Sequence, residues 1–277
     1  MKIIKFVSIT FSLMLICGGT LLAQDAKPIF DRAIAQIKDN QIEPAIDSLR
    51  EVLTIVPDEP VANYNLGLCY YTLKQYERAV PALRNTVKNK PDFVDAYLYL
   101  GNSLDYLGRY DDAIAAYTKA IEYDPKNVQA YVEMGVANER KKSFDAAAAA
   151  YQKALDIDPA GFTEYRALAK AYYNAGKFAE SIPAYKRAAV IDPKNVPTRL
   201  YLAYAYSKTK QYALAIDSFK IAASLDPTDA YVIEGLGEAY AAQNDLVSAR
   251  KQYTTLVSMN RNLADKLLSK INAAARP

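Results

Sequence analysis

Large apolar and small residues recur along this chain with a period of 34 residues, the spacing from Leu66 to Leu100. Within each period, positions 4, 7, 8 and 11 share one helical face, and positions 17, 20, 24 and 27 share a face of a second helix. Small residues at positions 8 and 20 let the two helices pack closely. The pattern therefore predicts a series of helical hairpins. The residues at position 8 are Ala33, Gly67, Gly101, Gly135, Ala169, Ala203 and Gly237.

Prolines recur with the same period, and each one marks the end of a hairpin. A proline disfavours a helical conformation in the residue before it and removes a backbone donor. The recurring prolines are Pro57, Pro91, Pro125, Pro159, Pro193 and Pro227. If each repeat begins 31 residues before its proline, the seven repeats are 26–59, 60–93, 94–127, 128–161, 162–195, 196–229 and 230–263.

These positions resemble the tetratricopeptide repeat, which combines an aromatic residue, Leu-Gly, further alanines and aromatics, and a closing proline. The tryptophan that usually opens that pattern is absent, and Tyr97, Tyr131 and Tyr165 stand in its place. The resemblance implies an all-α fold, a right-handed α-solenoid of about seven 34-residue helix-turn-helix repeats. The matching residues of repeat 3 are Tyr97, Leu100, Gly101, Leu104, Ala113, Tyr117, Ala120 and Pro125.

The ends of the array depart from the pattern. Repeat 7 lacks the closing proline, and Arg261 holds its place. Leu263, Leu267, Ile271 and Ala274 then fall on one helical face. Residues 264–277 are therefore predicted to form a C-terminal capping helix, and the alternative is a frayed tail.

Residues 1–23 differ from the rest of the chain. Lys2 and Lys5 precede an apolar run from Phe6 to Ala23, which resembles a secretory signal peptide cleaved after Ala23. The expected location is the bacterial envelope, periplasmic or secreted. Two alternatives remain: residues 1–23 could stay as an uncleaved membrane anchor, or Cys17 could carry a lipid. Membrane contact is expected only through residues 1–23, if they are uncleaved.

The composition argues against nucleic-acid binding and against catalysis. The chain has 34 basic and 31 acidic residues, and without Lys2 and Lys5 the net charge falls from +3 to +1. A nucleic-acid-binding protein would need a basic footprint. The chain has no histidine, so an imidazole base or ligand is absent. No catalytic, cofactor or metal site is predicted, and Cys69 is expected to be a small buried residue.

The resemblance also implies where a partner would bind. In this family, positions 2, 5, 9 and 12 of the first helix line a concave surface. Aromatic residues and arginine at such positions are typical anchors of protein interfaces, although ordinary solvated residues would fit the same pattern. The predicted partner-binding residues are Tyr64, Tyr71, Asn102, Asp105, Glu139, Arg166, Lys170, Tyr173 and Tyr204.

Two functional hypotheses follow from this pattern. The first is a non-enzymatic adaptor or scaffold of the cell envelope that binds a protein or peptide in the concave groove. The second is a structural spacer, or a glycan-contacting component, of an envelope polysaccharide or secretion assembly. The sequence does not identify the partner, because one fold supports many functions.

Overall fold

The computed structural model describes residues 20–275, which form fifteen α-helices and no β-strand. The predicted all-α fold of helix-turn-helix repeats is confirmed. The described chain divides into an N-terminal unit, which ends at Lys141, and a C-terminal unit, which begins at Lys142. The helices of the N-terminal unit are α1 (Thr20–Lys38), α2 (Ile42–Ile55), α3 (Pro60–Thr72), α4 (Tyr76–Asn89), α5 (Val94–Tyr106), α6 (Tyr110–Tyr123) and α7 (Val128–Arg140). The helices of the C-terminal unit are α8 (Phe144–Ile157), α9 (Phe162–Asn174), α10 (Phe178–Ile191), α11 (Val196–Lys208), α12 (Tyr212–Leu225), α13 (Ala230–Ala242), α14 (Leu246–Met259) and α15 (Arg261–Ala274).

Most of the predicted leader lies outside the described residues, as do Cys17 and residues 276–277 of the predicted cap. Helix α1 begins at Thr20 and includes the predicted cleavage position after Ala23. None of the described helices combines the length and the apolar character that a membrane span needs. The secretory leader and its alternatives therefore stay predictions.

The Asp-Pro dipeptides end the second helix of a repeat through a local hydrogen bond. Asp124 is the C-cap of α6, and its Oδ1 accepts the backbone N–H of Lys126 at 3.2 Å. Asp158, Asp192 and Asp226 accept the N–H two residues further on at 3.1, 3.2 and 2.9 Å. This is an Asx turn, and the intervening proline has no amide donor to leave unpaired.

The turn between the two helices of a repeat uses a left-handed residue at position 15. Gly108 has a φ of 74°, its amide donates to the Asp105 carbonyl at 3.0 Å, and the amide of Arg109 donates to the Leu104 carbonyl at 2.9 Å. These two bonds are the Schellman arrangement, which satisfies the last carbonyls of a helix. The other residues with positive φ at position 15 are Asn40, Lys74, Lys142, Gly176, Lys210 and Asn244.

Small residues at position 8 make room for large ones at position 24. A methyl group on Gly101 of α5 would lie 2.4 Å from Cε1 of Tyr117 on α6, and Tyr117 is buried. Gly67 has the same relation to Leu83, whose Cγ would lie 2.6 Å away. The close packing that the 34-residue pattern predicts therefore depends, in these two hairpins, on specific pairs of a glycine and a large side chain.

Helix α15 closes the C-terminal unit. Its N-cap, Asn260, accepts the backbone N–H of Leu263 at 3.2 Å, so the helix begins three residues before the predicted position 264. Leu263, Leu267 and Ile271 are buried in a cluster with residues of α13 and α14, whereas Ala274 is exposed. Leu267 fills the space over Gly237, where an added methyl group would lie 2.5 Å from its Cδ2.

Candidate functional site

The nine residues predicted to bind a partner are divided between the two units. Those of the N-terminal unit are Tyr64, Tyr71, Asn102, Asp105 and Glu139. Those of the C-terminal unit are Arg166, Lys170, Tyr173 and Tyr204.

Tyr173 and Tyr204 share a pocket of about 440 Å³ in the C-terminal unit. The ring of Tyr201 joins them, because its centroid lies 5.7 Å from that of Tyr173 and 6.4 Å from that of Tyr204. Tyr201 is 41% exposed, so its ring is open to a ligand. The remaining lining residues include Ser207, Lys208, Tyr212, Gly235, Glu238 and Lys270.

The pocket forms because the first helices of repeats 5, 6 and 7 bring large tyrosine side chains next to a glycine, Gly235. Tyr204 packs edge-on against Phe219 with ring centroids 5.3 Å apart. A methyl group on Gly235 would lie 2.4 Å from Phe219 and 3.2 Å from Tyr204. The lack of a side chain at Gly235 therefore leaves space for both rings and forms part of the pocket wall.

The polar groups of this pocket favour hydrogen bonding over proton transfer. Burial raises the pKa of Tyr204 well above its usual value, and the charges of Glu234 and Glu238 raise it further. The Tyr204 hydroxyl stays protonated and donates to the Tyr231 carbonyl oxygen at 3.2 Å. Burial also raises the pKa of Tyr173. The pocket thus offers neutral phenols as hydrogen-bonding groups.

Two lysines lie at the pocket, and only one of them forms a salt bridge. Lys270 forms a salt bridge with Glu238. Lys208 has no ion pair among the described residues, and its Nζ lies 6.0 Å from the centroid of the Phe178 ring. Lys208 is therefore the cation at this pocket that remains available to a negatively charged ligand group.

Arg166 and Lys170 do not line this pocket, although both are exposed on α9. They lie seven and three residues before Tyr173, so they extend the same helical face toward the start of α9. The guanidinium of Arg166 lies 5.8 Å from the Phe162 ring centroid. These two residues would meet a ligand only if it extended beyond the tyrosines.

In the N-terminal unit, Tyr64 needs a correction, because its side chain has no exposed surface. Its ring packs against Phe93 and Tyr99 with centroids 4.5 and 6.2 Å away. The neighbouring predicted groove positions Val61 and Leu68 are also buried. In the described structure Tyr64 therefore belongs to the core rather than to a surface that a partner can touch.

Tyr71 lies in a tyrosine cluster on the same unit. Its ring centroid is 5.2 Å from Tyr99, 5.5 Å from Tyr76 and 6.1 Å from Tyr106. Tyr76 and Tyr106 stack with centroids 4.6 Å apart. Tyr106 is 53% exposed, so this cluster has an accessible edge.

Asn102 and Asp105 are engaged inside the unit, and Glu139 is half-buried on α7. Asn102 accepts a hydrogen bond from the Tyr117 hydroxyl at 2.7 Å. Asp105 is buried and pairs with Arg140 at 2.5 Å. Burial raises the pKa of Asp105, and Arg140 opposes that rise. Asn102 and Asp105 therefore support the fold and are poorly exposed to a partner.

Several residues of the tyrosine pocket do not follow from the repeat pattern. Tyr201 occupies position 6 and Lys208 position 13 of their repeat, outside the positions that the family resemblance implies. Lys270 lies in the capping helix, which has no repeat position at all. The cluster of tyrosines in repeat 6 could have indicated this pocket. Tyr201 and Tyr204 lie one helical turn apart, so their side chains are neighbours on the helix surface.

The described residues contain no group of three histidine, cysteine, aspartate or glutamate side chains that could hold a metal ion. Cys69 is a buried free thiol, and burial raises its pKa to about 12. A thiol with this pKa stays protonated at neutral pH and is a poor nucleophile.

Comparison with sequence families gives two matches. A profile of the tetratricopeptide repeat matches residues 98–162, 166–230 and 202–264, which together cover more than half of the chain. A profile of the anaphase-promoting complex, cyclosome, subunit 3 matches residues 38–120. No curated protein sequence matches the chain significantly.

Several solved structures share this fold. The C-terminal part of a TPR repeat-containing protein from Cytophaga hutchinsonii is 19% identical and aligns over 87% of this chain and 99% of its own, with a TM-score of 0.69. YrrB, described as a TPR protein with an unusual peptide-binding site, is 18% identical over 68% of this chain and 98% of its own, with a TM-score of 0.61. MamA is 24% identical over 62% of this chain and 93% of its own, with a TM-score of 0.57.

Proposed function

This chain belongs to the tetratricopeptide repeat family, and from that membership we propose that it is a non-enzymatic adaptor of the bacterial cell envelope. It binds an extended segment of a protein partner through the first helices of its repeats. The observation that carries the proposal is the pocket formed by Tyr173, Tyr201, Tyr204 and Tyr212 in the C-terminal unit.

The chemistry of this pocket suits a peptide. Tyrosine rings supply a large contact area at a small entropic cost, and they are enriched at the energetic centres of interfaces. The protonated phenols can bond to peptide carbonyl and amide groups, and Lys208 can meet a carboxylate. The peptide-binding site described for YrrB supports the idea that this fold accommodates such a ligand.

The first experiment identifies the partner at the pocket. A photo-crosslinking phenylalanine derivative replaces Tyr201 in the full-length protein, and adducts are collected from native envelopes. The matched control carries the same group at Tyr123, which is 47% exposed and also stacks on a tyrosine, at 5.9 Å from Tyr97. A protein adduct that forms from position 201 and not from position 123 is the expected result.

The second experiment measures affinity for the segment identified in that adduct. Tyr201→Ala removes the open wall of the pocket, and the expected loss is about thirtyfold, since truncation of an interface hot spot costs about 2 kcal/mol. Tyr123→Ala should leave the affinity unchanged. Equal affinity of wild type and Tyr201→Ala would remove the pocket from the binding site.

The second candidate function is a glycan-contacting component of an envelope polysaccharide or secretion assembly. The exposed rings of Tyr201 and Tyr231 favour it, because 41% and 59% of these residues remain accessible and a sugar face can stack on such a ring. A glycan array separates the candidates. Binding of an oligosaccharide that Tyr201→Ala abolishes, with no protein adduct at position 201, would favour this role.

The envelope location rests on the leader. We expect the mature protein to begin at Gln24, which requires removal of the first four residues of α1 as described. Mass spectrometry of the protein purified from the periplasmic fraction checks this start. Retention of residues 1–23 in a membrane fraction would favour the anchor, and a lipid on Cys17 would favour the lipoprotein.

A further inference from the structure

A second groove lies on the other side of α3, away from the predicted concave face. It has a volume of about 730 Å³ and lies along α3 and α4 of the N-terminal unit. Asn63, Leu66 and Tyr70 enter it from α3, at repeat positions 4, 7 and 11. Because 100° separates successive helical residues, these positions face away from positions 5 and 12, where Tyr64 and Tyr71 lie. The groove is thus distinct from the predicted concave surface.

The floor of this groove is apolar and recessed. Leu66, Tyr70 and Ala82 line it and are 8%, 4% and 8% exposed. Pro81, also in the lining, is exposed on α4. A recess with this floor suits one apolar side chain of a ligand, because the contact would remove apolar surface from water.

The rim of the groove is basic. Two guanidinium groups lie near the ring of Tyr70, Arg50 at 5.9 Å and Arg78 at 4.8 Å from its centroid. Arg84 and Lys88 extend the basic rim along α4 and are exposed. Arg78, Arg84 and Lys88 of α4 line the groove, and Arg50 of α2 adds a fourth positive charge near Tyr70.

Four basic residues at or next to this groove have no carboxylate partner within the described part of the chain. Arg50, Arg78, Arg84 and Lys88 form no ion pair within the part of the chain that the structure describes, and Glu77 is the only acidic residue in the described lining. Elsewhere in the unit, salt bridges join Lys27 to Asp31, Arg32 to Glu51, Arg109 to Asp112, Lys119 to Glu122, Arg140 to Asp105 and Lys141 to Asp111.

We propose that this groove binds an acidic segment of a protein, with an apolar side chain in the recess and flanking carboxylates on Arg78, Arg84 and Lys88. Charge complementarity selects such a segment, and arginine meets carboxylates with paired hydrogen bonds. A protein segment fits better than a membrane or a nucleic acid, because a flat lipid surface does not fill a recess and a phosphate backbone has no apolar side chain to place in it. The inference does not depend on the tyrosine pocket of the C-terminal unit.

The test uses the full-length protein and a fluorescein-labelled peptide in which four glutamates flank a central leucine. Arg84→Glu with Lys88→Glu reverses two charges on the rim. The control, Lys38→Glu with Lys126→Glu, makes the same change in total charge at exposed positions of the same unit that do not line the groove. All four positions are exposed, so circular dichroism should show unchanged helix content.

The expected result is a loss of affinity of about tenfold in the groove variant and less than about twofold in the control, since two exposed charge pairs of about 0.7 kcal/mol each sum to about 1.4 kcal/mol. Replacing the peptide's leucine by glycine should also weaken binding, since the recess would stay empty. Equal losses in both variants would overturn the proposal, as would failure of the peptide to bind. It would also be overturned if anionic vesicles or heparin bound through the same charges while the peptide did not.

Discussion

At the scale of single residues, position 15 of each repeat has the strictest backbone requirement. The φ values there run from 58° at Lys74 to 77° at Gly176. Only glycine adopts this region without a steric penalty, which is about 1 kcal/mol or more for a residue with a Cβ atom. Lysine occupies the position in three of the seven repeats, at Lys74, Lys142 and Lys210. Unlike asparagine and glycine, lysine has no local preference for this region, so these three turns depend on packing of the helices they join.

This requirement predicts opposite effects for two substitutions. Gly176→Ala should lower the free energy of unfolding by about 1 kcal/mol, because no atom lies within 4 Å of the added methyl group and only the backbone cost remains. Lys210→Gly, at a φ of 60°, should raise it by roughly 0.5 kcal/mol, since part of the gain is lost to the freer unfolded chain. Urea denaturation measures both values.

The control for that pair is Lys186→Gly, an exposed position inside α10, which should cost about 1 kcal/mol. If Lys210→Gly destabilised the protein as much as Lys186→Gly, the lysine side chain would contribute more than the strain it causes. The comparison separates a backbone effect from the general cost of a glycine.

The position of a residue in its repeat predicts which face of the helix it lies on. It does not predict how exposed the side chain is. Tyr64 and Arg166 both occupy position 5 of a first helix, yet Tyr64 is buried and Arg166 is exposed. The ring of Tyr64 packs against Phe93, the N-cap of α5, and against Tyr99 of α5, and no repeat rule encodes those neighbours. Tyr173 and Tyr204 were each predicted as groove residues and line one pocket, whereas the contribution of Tyr201 depends on how adjacent helices pack.

At the scale of helices, the sequence predicts most of the ends because each has a local chemical cause. Asn127 accepts the N–H of Ala130 at 3.0 Å and caps α7, as its place before an apolar-periodic segment indicates. The Asp-Pro dipeptides end helices by an Asx turn. The starts of α1 and α15 were less predictable. Near each terminus the 34-residue pattern no longer constrains the boundary.

At the scale of the whole molecule, the repeat organisation means that stability is distributed along the chain. In a repeat protein each repeat contacts mainly its neighbours, so stability is close to a sum of local terms. Leu267 is fully buried over Gly237 in the C-terminal unit. A substitution that removes the Leu267 side chain should therefore destabilise the neighbouring helices and not the whole chain.

We expect Leu267→Ala to destabilise the C-terminal unit by about 2–5 kcal/mol, the range for removing a buried leucine side chain. Hydrogen exchange followed by mass spectrometry should show lost protection in α13, α14 and α15 and unchanged protection in α1, α2 and α3. Val247→Ala, on a residue of α14 that is 83% exposed, is the control and should change protection nowhere. A uniform loss of protection from α1 to α15 would contradict the local model, because it would mean that the described chain unfolds as one cooperative unit.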